Sequence, residues 1–444
     1  MSVQAKKIVF NDIQGKINLR RILYIKKAIW LYFLLLIFEG ALRKWVVPGL
    51  AGPLLIVRDP VAIYMIFLAI RAGVFPKNLF NGALTMLTIL TFIFTFLAGH
   101  GNVFVAIYGL RIFVLHFPLI FIIGRVFDYD DMVKIGRAIL IINILMTLLV
   151  AVQFYSPQSA WVNRGVGGEG DGSGFSGGGG FYRVPGTFSF TSGLSAFYSF
   201  TAPFIFYFWF NGKNQVPKYL LWASTFALIA AVPLSISRTV LFSIGITFIF
   251  SLFLVSQNKR TFSRMLGAAI AIVMLFGVLQ QFAFFQTASG AFTDRFTSAN
   301  KSEGGAEGII SNRIIGYSLL SAFDGDIPPL GYGLGAGSNV GAQLLTGGTM
   351  VEFSEGEWGR LTRESGMILG VLFILTRVFF TLRLASVAYK NLRQGNIMPW
   401  LILSYAFVNI IQGTLSQPNA LGFVVLAGGF LIAGMDSNTK KVFA

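Results

Sequence analysis

Residues 102–124 read NVFVAIYGLRIFVLHFPLIFIIG. As a helix rising 1.5 Å per residue, the run crosses about 30 Å of hydrocarbon, and only Arg111 and His116 interrupt its apolar character. Arg125, Lys134 and Arg137 follow, and a second run of the same kind covers 137–155. Two apolar spans joined by a basic connector are the pattern of a chain threading a bilayer with its Lys and Arg retained in the cytoplasm.

Worked outward, the pattern repeats. Windows of spanning length fall at approximately 28–42, 54–72, 80–98, 102–124, 137–155, 189–210, 219–235, 239–256, 264–283, 365–385, 398–414 and 418–434, which predicts twelve spans. Threaded in and out, every connector on the N-terminal side is basic: Arg71 and Lys77; Arg125, Lys134 and Arg137; Lys213 and Lys218; Lys259, Arg260 and Arg264; Arg383, Lys390 and Arg393. Lys440 and Lys441 close that side. The opposite connectors receive Glu169, Asp171, Asp294, Glu303, Glu307, Asp324, Asp326, Glu352, Glu355 and Glu357. The expected fold is an all-α polytopic bundle of about 12 spans, both termini cytoplasmic, with a long extracytoplasmic loop subdomain.

Composition excludes the other classes. Of 444 residues 55% are hydrophobic and 12% charged, about half the charge of a soluble domain. Mean hydropathy is +0.71. No Cys is present, which removes disulfides and thiolate chemistry, and two His leave little for a histidine metal centre. The net charge of +17 lies in short inter-span segments, so it reads as topology and no nucleic-acid partner is expected.

The chain divides into a basic cytoplasmic segment (1–27), a membrane bundle with spans 1–9 (28–283), an extracytoplasmic subdomain (284–364), spans 10–12 (365–435) and a cytoplasmic tail (436–444). An outer loop at 156–188 contains ten glycines within GVGGEGDGSGFSGGGG (165–180), the composition of a mobile flap or tolerated linker. In the second outer segment, SNRIIGYSLLSAF (311–323) has helical apolar spacing.

Arginines on the acidic side stand against the positive-inside pattern. Arg183, Arg238, Arg313, Arg360 and Arg363 all lie there, near span ends. Each alone is able to snorkel to lipid phosphate; five beside Ser, Gly and Pro suggest a di-anion pocket, because guanidinium forks bind phosphate bidentately. Arg238 ends SISR between two spans with almost no loop, where Ser235 and Ser237 add donors. Glycines 331, 333, 335 and 337 lack the strand–turn–helix frame of a nucleotide site and predict close backbone approach instead. In GEWGRLTRESGMILG (356–370), Glu357, Arg360 and Glu364 share a helix face with Arg363 alongside, so the acids are a surface ion-pair ladder or a catalytic pair. Arg111 must face the bundle and find a partner, with Glu39 or Asp59 the candidates for a structural buried charge.

Taken together, SISR at 235–238, the block from Arg313 through Pro329, Gly331, Gly333 and Gly335, the turn FYRVPGTFSF (181–190), and Glu364, Gly366 and Gly370 opening a span resemble the O-antigen ligase and Wzy-type O-antigen polymerase superfamily. The resemblance covers most of 100–435. It implies a metal-independent inverting glycosyltransferase of the C type, needing no cofactor, in a bacterial inner membrane with its site on the periplasmic face. Its substrate would be an undecaprenyl-diphosphate-linked glycan, and its further partners membrane lipid and a chain-length regulator or other envelope assembly proteins. Arg183, Arg238, Arg313, Arg360 and Arg363, with Ser237, would hold diphosphate and glycan, and Glu364 or Glu357 would serve the acceptor hydroxyl. Where family ligases carry a His about nine positions before the span-opening acid, this chain has Glu355 and Gly356, which favours a polymerase-like member. The alternative is a transporter or flippase for an anionic lipid-linked substrate; an envelope scaffold with a degenerate site is the third.

Overall fold

The computed structural model of the protein describes residues 3–211, 215–255, 267, 274, 277–303, 321–323, 327–347 and 356–443. Helices dominate, in the order α1 (Val3–Ala41), α2 (Arg58–Ala72), α3 (Leu79–Leu97), α4 (Val103–Leu110), α5 (Pro118–Val126), α6 (Tyr129–Tyr155), α7 (Thr191–Phe210), α8 (Lys218–Leu234), α9 (Arg238–Val255), α10 (Ala283–Glu303), α11 (Asn339–Thr346), α12 (Glu357–Arg393), α13 (Met398–Gln412) and α14 (Pro418–Ala433). Between α6 and α7, β1 (Phe175–Ser176) pairs antiparallel with β2 (Tyr182–Arg183). Most of the expected span at 264–283, and the 311–323 segment apart from 321–323, lie outside the described residues.

Five described segments are long and apolar enough to cross a membrane: Pro53–Ala72, Leu79–Leu97, Val103–Val126, Tyr129–Tyr155 and Glu357–Arg393. This is a membrane protein built of helices. α8, α9, α13 and α14 are apolar but shorter. Proline in the first turn sets where α13 and α14 begin, since its missing N–H is no loss there.

Connections gather at two ends. At the basic end Lys26 bonds Asp128 (2.7 Å) and Asp131, Arg125 donates to Phe75 O (3.2 Å), Arg137 to Gln215 O and Lys440 to Phe127 O (3.2 Å). Asp128 also caps α6, with Asp131 returning the bond to its N–H in a capping box. The segments 42–57, 98–102, 156–190, 235–237, 327–338 and 413–417 meet at the other, or loop, end.

α5 and α14 form the axis. Both are buried almost throughout. Gly428 and Gly429 lie against Ile120 and Ile123, and Gly124 against Ile432, so missing side chains on one helix admit branched ones on the other. Between α4 and α5 the span widens into a π-turn over Arg111–His116.

α12 is not one straight rod. At Gly366 φ is 77° and ψ 164°, outside helical values, and the arm 357–365 folds back so that Gly370 packs against Thr362. The tenth span, expected from 365, is thus preceded by a buried helical arm.

The loop 156–188 is not free. Its β-ladder sets Phe175 opposite Arg183, and Arg295 of α10 donates to Gly177 O (3.4 Å).

Candidate functional site at the loop end

Arg360 sits between two acids on the folded arm. Its Nε and Nη2 donate to Glu357 (3.0 and 2.9 Å) and its Nη1 to Glu364 Oε2 (2.6 Å). Glu357 also accepts from Arg377 Nη1 at Oε1 (2.7 Å) and from Leu415 N at Oε2 (3.1 Å). Each Glu357 oxygen therefore receives two donors, which leaves no lone pair for a substrate proton. The expected assignments of Glu357 as base and Arg360 as diphosphate ligand do not fit this bonding: two carboxylates and two guanidiniums neutralise one another in a buried quartet. Glu364 differs. Among the described residues it accepts from Arg360 and from Gly337 N–H (2.9 Å), one donor per oxygen, though its side chain is 1% exposed. Arg363 takes part through its backbone, its carbonyl accepting Tyr332 N–H (2.7 Å).

The glycine run closes this arm. Gly333 N–H donates to Glu364 O (3.0 Å), and Gly331, Gly333 and Gly335 all have positive φ, which L side chains rarely adopt. A Cβ at Gly366 would collide with Pro329 O. The spacing of the run serves backbone packing into the break in α12.

Arg183 and Arg238 come together at a second feature of the same end. α8 passes to α9 through Ser235, Ile236 and Ser237, and Ile236 is the one non-glycine among the described residues with positive φ (46°). A β-branched residue held there is strained by about 1–3 kcal/mol. Ser237 Oγ bonds Ser195 Oγ (2.9 Å), fixing the corner on α7. Burial, then Arg295 and Arg238, hold the Arg183 guanidinium below its usual value, so two further cations act on Arg183 here. Arg183 Nε is buried with no hydrogen-bond partner among the described residues. Arg313 lies outside the described residues.

Beside this corner a cavity of about 480 Å³ opens between α7, α8, α9 and α10, lined among others by Phe206, Trp209, Leu228, Val232, Leu241 and Phe292. Leu241 is one turn beyond Arg238, and Thr293, also in the wall, is two residues before Arg295. The quartet and the corner are joined by one strand of contacts: Leu415 bonds Glu357, and Ser192 of α7 reaches Gln417 (3.4 Å).

Arg111 finds Asp59 (3.2 Å), while Glu39 pairs with Arg58 (3.5 Å) and Arg43 (3.4 Å). Of the two partners expected for Arg111, Asp59 makes the contact. Among the described residues no group of His, Asp and Glu is gathered as a metal ion requires.

Sequence reasoning missed Arg58, Arg295 and Arg377. Arg377 had a usable signal, a lone guanidinium within GVLFILTRVFF, the same argument that singled out Arg111. Arg295 had none, because only folding brings α10 to the Gly-rich loop.

No protein-family model matches the chain, and no curated protein or solved structure matches it.

Proposed function

We propose that the protein is a metal-independent inverting glycosyltransferase of the bacterial cytoplasmic membrane that polymerises, or in a variant of the same chemistry ligates, an undecaprenyl-diphosphate-linked oligosaccharide. On this reading the chain crosses the membrane twelve times and the loop end faces the periplasm. The observation that carries it is the grouping of Arg238 and Arg295 around Arg183, with an apolar cavity whose wall begins at Leu241, one helical turn from Arg238, and at Thr293, two residues from Arg295. A lipid-linked diphosphate has that composition, a di-anion on a long hydrocarbon, and guanidiniums close in the chain to the wall of an apolar cavity suit both parts.

The chemistry then follows. An acceptor hydroxyl attacks the anomeric carbon, the bond to the diphosphate breaks, and the departing charge is met by Arg183, Arg238 and Arg295, the largest contribution to rate. Glu364, the acid with unused lone pairs, accepts the hydroxyl proton once the Gly337 amide and the glycine run draw back. Arg360 keeps it ionised and weakly basic, so orientation of the acceptor outweighs full abstraction. The transporter reading requires a polar route to both ends of the bundle.

The test is glycan synthesis by membranes carrying Arg238→Gln, Arg183→Gln or Glu364→Gln. Folded protein with little lengthened or transferred glycan supports the proposal. Wild-type product from all three overturns it, and donor movement across the bilayer without bond formation supports the flippase.

A further inference from the structure

His116 lies in the π-turn with its side chain 1% exposed, and both ring nitrogens are bonded: Nε2 to Asp59 Oδ1 (2.9 Å) and Nδ1 to Tyr32 Oη (2.9 Å). We propose that this imidazole is a proton-binding site inside the membrane bundle, linked to the ion pair between Arg111 and Asp59. It stands apart from the arginine corner and does not depend on the function assigned to it.

The bonding admits two protonation states. With a neutral ring, Nε2–H donates to Asp59 and Nδ1 accepts the Tyr32 O–H. With one proton added, Nδ1–H donates to the Tyr32 oxygen, whose own hydrogen turns away, and the bond to the Asp59 carboxylate becomes an ion pair. One proton is taken up, none is released, and neither ring bond is lost. An imidazole buried against apolar groups or a single donor has no such second state.

Charge makes the state matter. The elements against the π-turn bring Tyr32 and Glu39 from α1, Arg43 from the connector after it, Arg58 and Asp59 from α2, and Tyr108 and Arg111 from its own span; Arg125 lies at the far end of α5 on Phe75 O, and Arg377 of α12, whose Phe373 stacks on Phe113, is bonded to Glu357, Ile410 O and Gly413 O. α3 and α14 bring no titratable side chain. Three cations thus face two carboxylates around a neutral ring. A protonated His116 competes with Arg111 for Asp59 and loosens the tie between α2 and the π-turn. The cluster has slack for such a shift: Glu39 Oε2 and Arg58 Nε face each other at 3.5 Å as an ion pair short of a hydrogen bond, and Arg111 Nε is buried with no hydrogen bond among the described residues. Polar groups run from Tyr32 through Arg58 and Glu39 to Arg43, which reaches Ser189 (2.9 Å) at the loop end. In the other direction Phe117 and residues 119–123 are buried and apolar, so the proton exchanges with the loop end. π-Turns inside helices recur at functional sites.

The chain has two histidines, so ring-¹⁵N-histidine labelling of the whole protein in lipid nanodiscs, with His100→Gln, isolates one imidazole. Between about pH 8 and about pH 4, on either side of an ordinary histidine, the Nδ1 resonance should move from unprotonated to protonated while the protein stays folded. Asp59→Asn removes the stabilising carboxylate and should lower the midpoint by about one unit or more; Arg111→Gln removes a competing cation and should raise it. A ring that never titrates, or one midpoint shared by every variant, overturns the proposal. If Asp59→Asn does not fold, the rise in Arg111→Gln decides alone.

Discussion

Arg377 Nη1 lies 2.7 Å from Glu357 Oε1, though on a straight helix their positions would stand about 30 Å apart. The fold-back at Gly366 brings them together, and Arg377 also donates to Ile410 O (2.8 Å) and Gly413 O (3.0 Å), tying α12 to the end of α13. Removing one member leaves an uncompensated buried charge. Arg377→Met should cost about 3–5 kcal/mol, and Glu357→Gln/Arg377→Met together should cost less than the two single losses combined. Denaturant titration in detergent measures both; additive losses would refute the coupling.

Gly366→Ala should destabilise strongly, since φ of 77° is unfavourable for alanine and its Cβ meets Pro329 O. Gly49→Ala, with nothing within 4 Å of the new Cβ, is the control and should be nearly silent. Thermal melting separates the two, and equal melting points would mean that the break in α12 relaxes freely.

Arg295→Gln should weaken binding of a diphosphate-bearing lipid about 10- to 100-fold, the range of a charge-assisted hydrogen bond, and as much as Arg238→Gln does. Binding measured at two salt concentrations should show a smaller salt dependence in either variant. Unchanged affinity in Arg295→Gln would remove α10 from the site.

Lys44, in the connector after α1, donates to Gly186 O (2.6 Å), and burial brings its ammonium from 10.5 down to about 7. The unfolded chain keeps this proton up to about 10.5 while the folded one releases it near 7, so stability should rise with pH across that window. Below about 7 both states are protonated and the burial cost is fully felt. Lys44→Met should flatten the rise in melting temperature between neutral and alkaline pH; an unchanged slope would assign it to another group.

Helical architecture and the two sets of connectors were legible because spanning length and charge sidedness are local properties of the chain. The acid–arginine grouping on the arm was legible too, from helical spacing at 357, 360 and 364. Its bonding was not, because Arg377 and Leu415 arrive from elsewhere in the chain and change Glu357 from a free acid into a buried anchor. The Gly-rich loop looked unrestrained for the same reason: glycine content says a backbone can approach a neighbour, and only α10 shows which one. Ile236 carries no sequence mark of its positive φ, which the tight α8–α9 corner imposes.

The paired axis of α5 and α14 has a consequence for how the molecule is made. Neither helix keeps a lipid-facing side, yet roughly 300 positions of chain separate them. While the ribosome is still working through the intervening helices, the face of α5 that will meet Gly428 and Gly429 has only lipid or a wrong neighbour to cover it. Assembly therefore finishes with a late, long-range docking step instead of growing span by span. Chains halted before residue 418 should accumulate as inserted but loosely associated helices, open to proteolysis and to mispairing with one another.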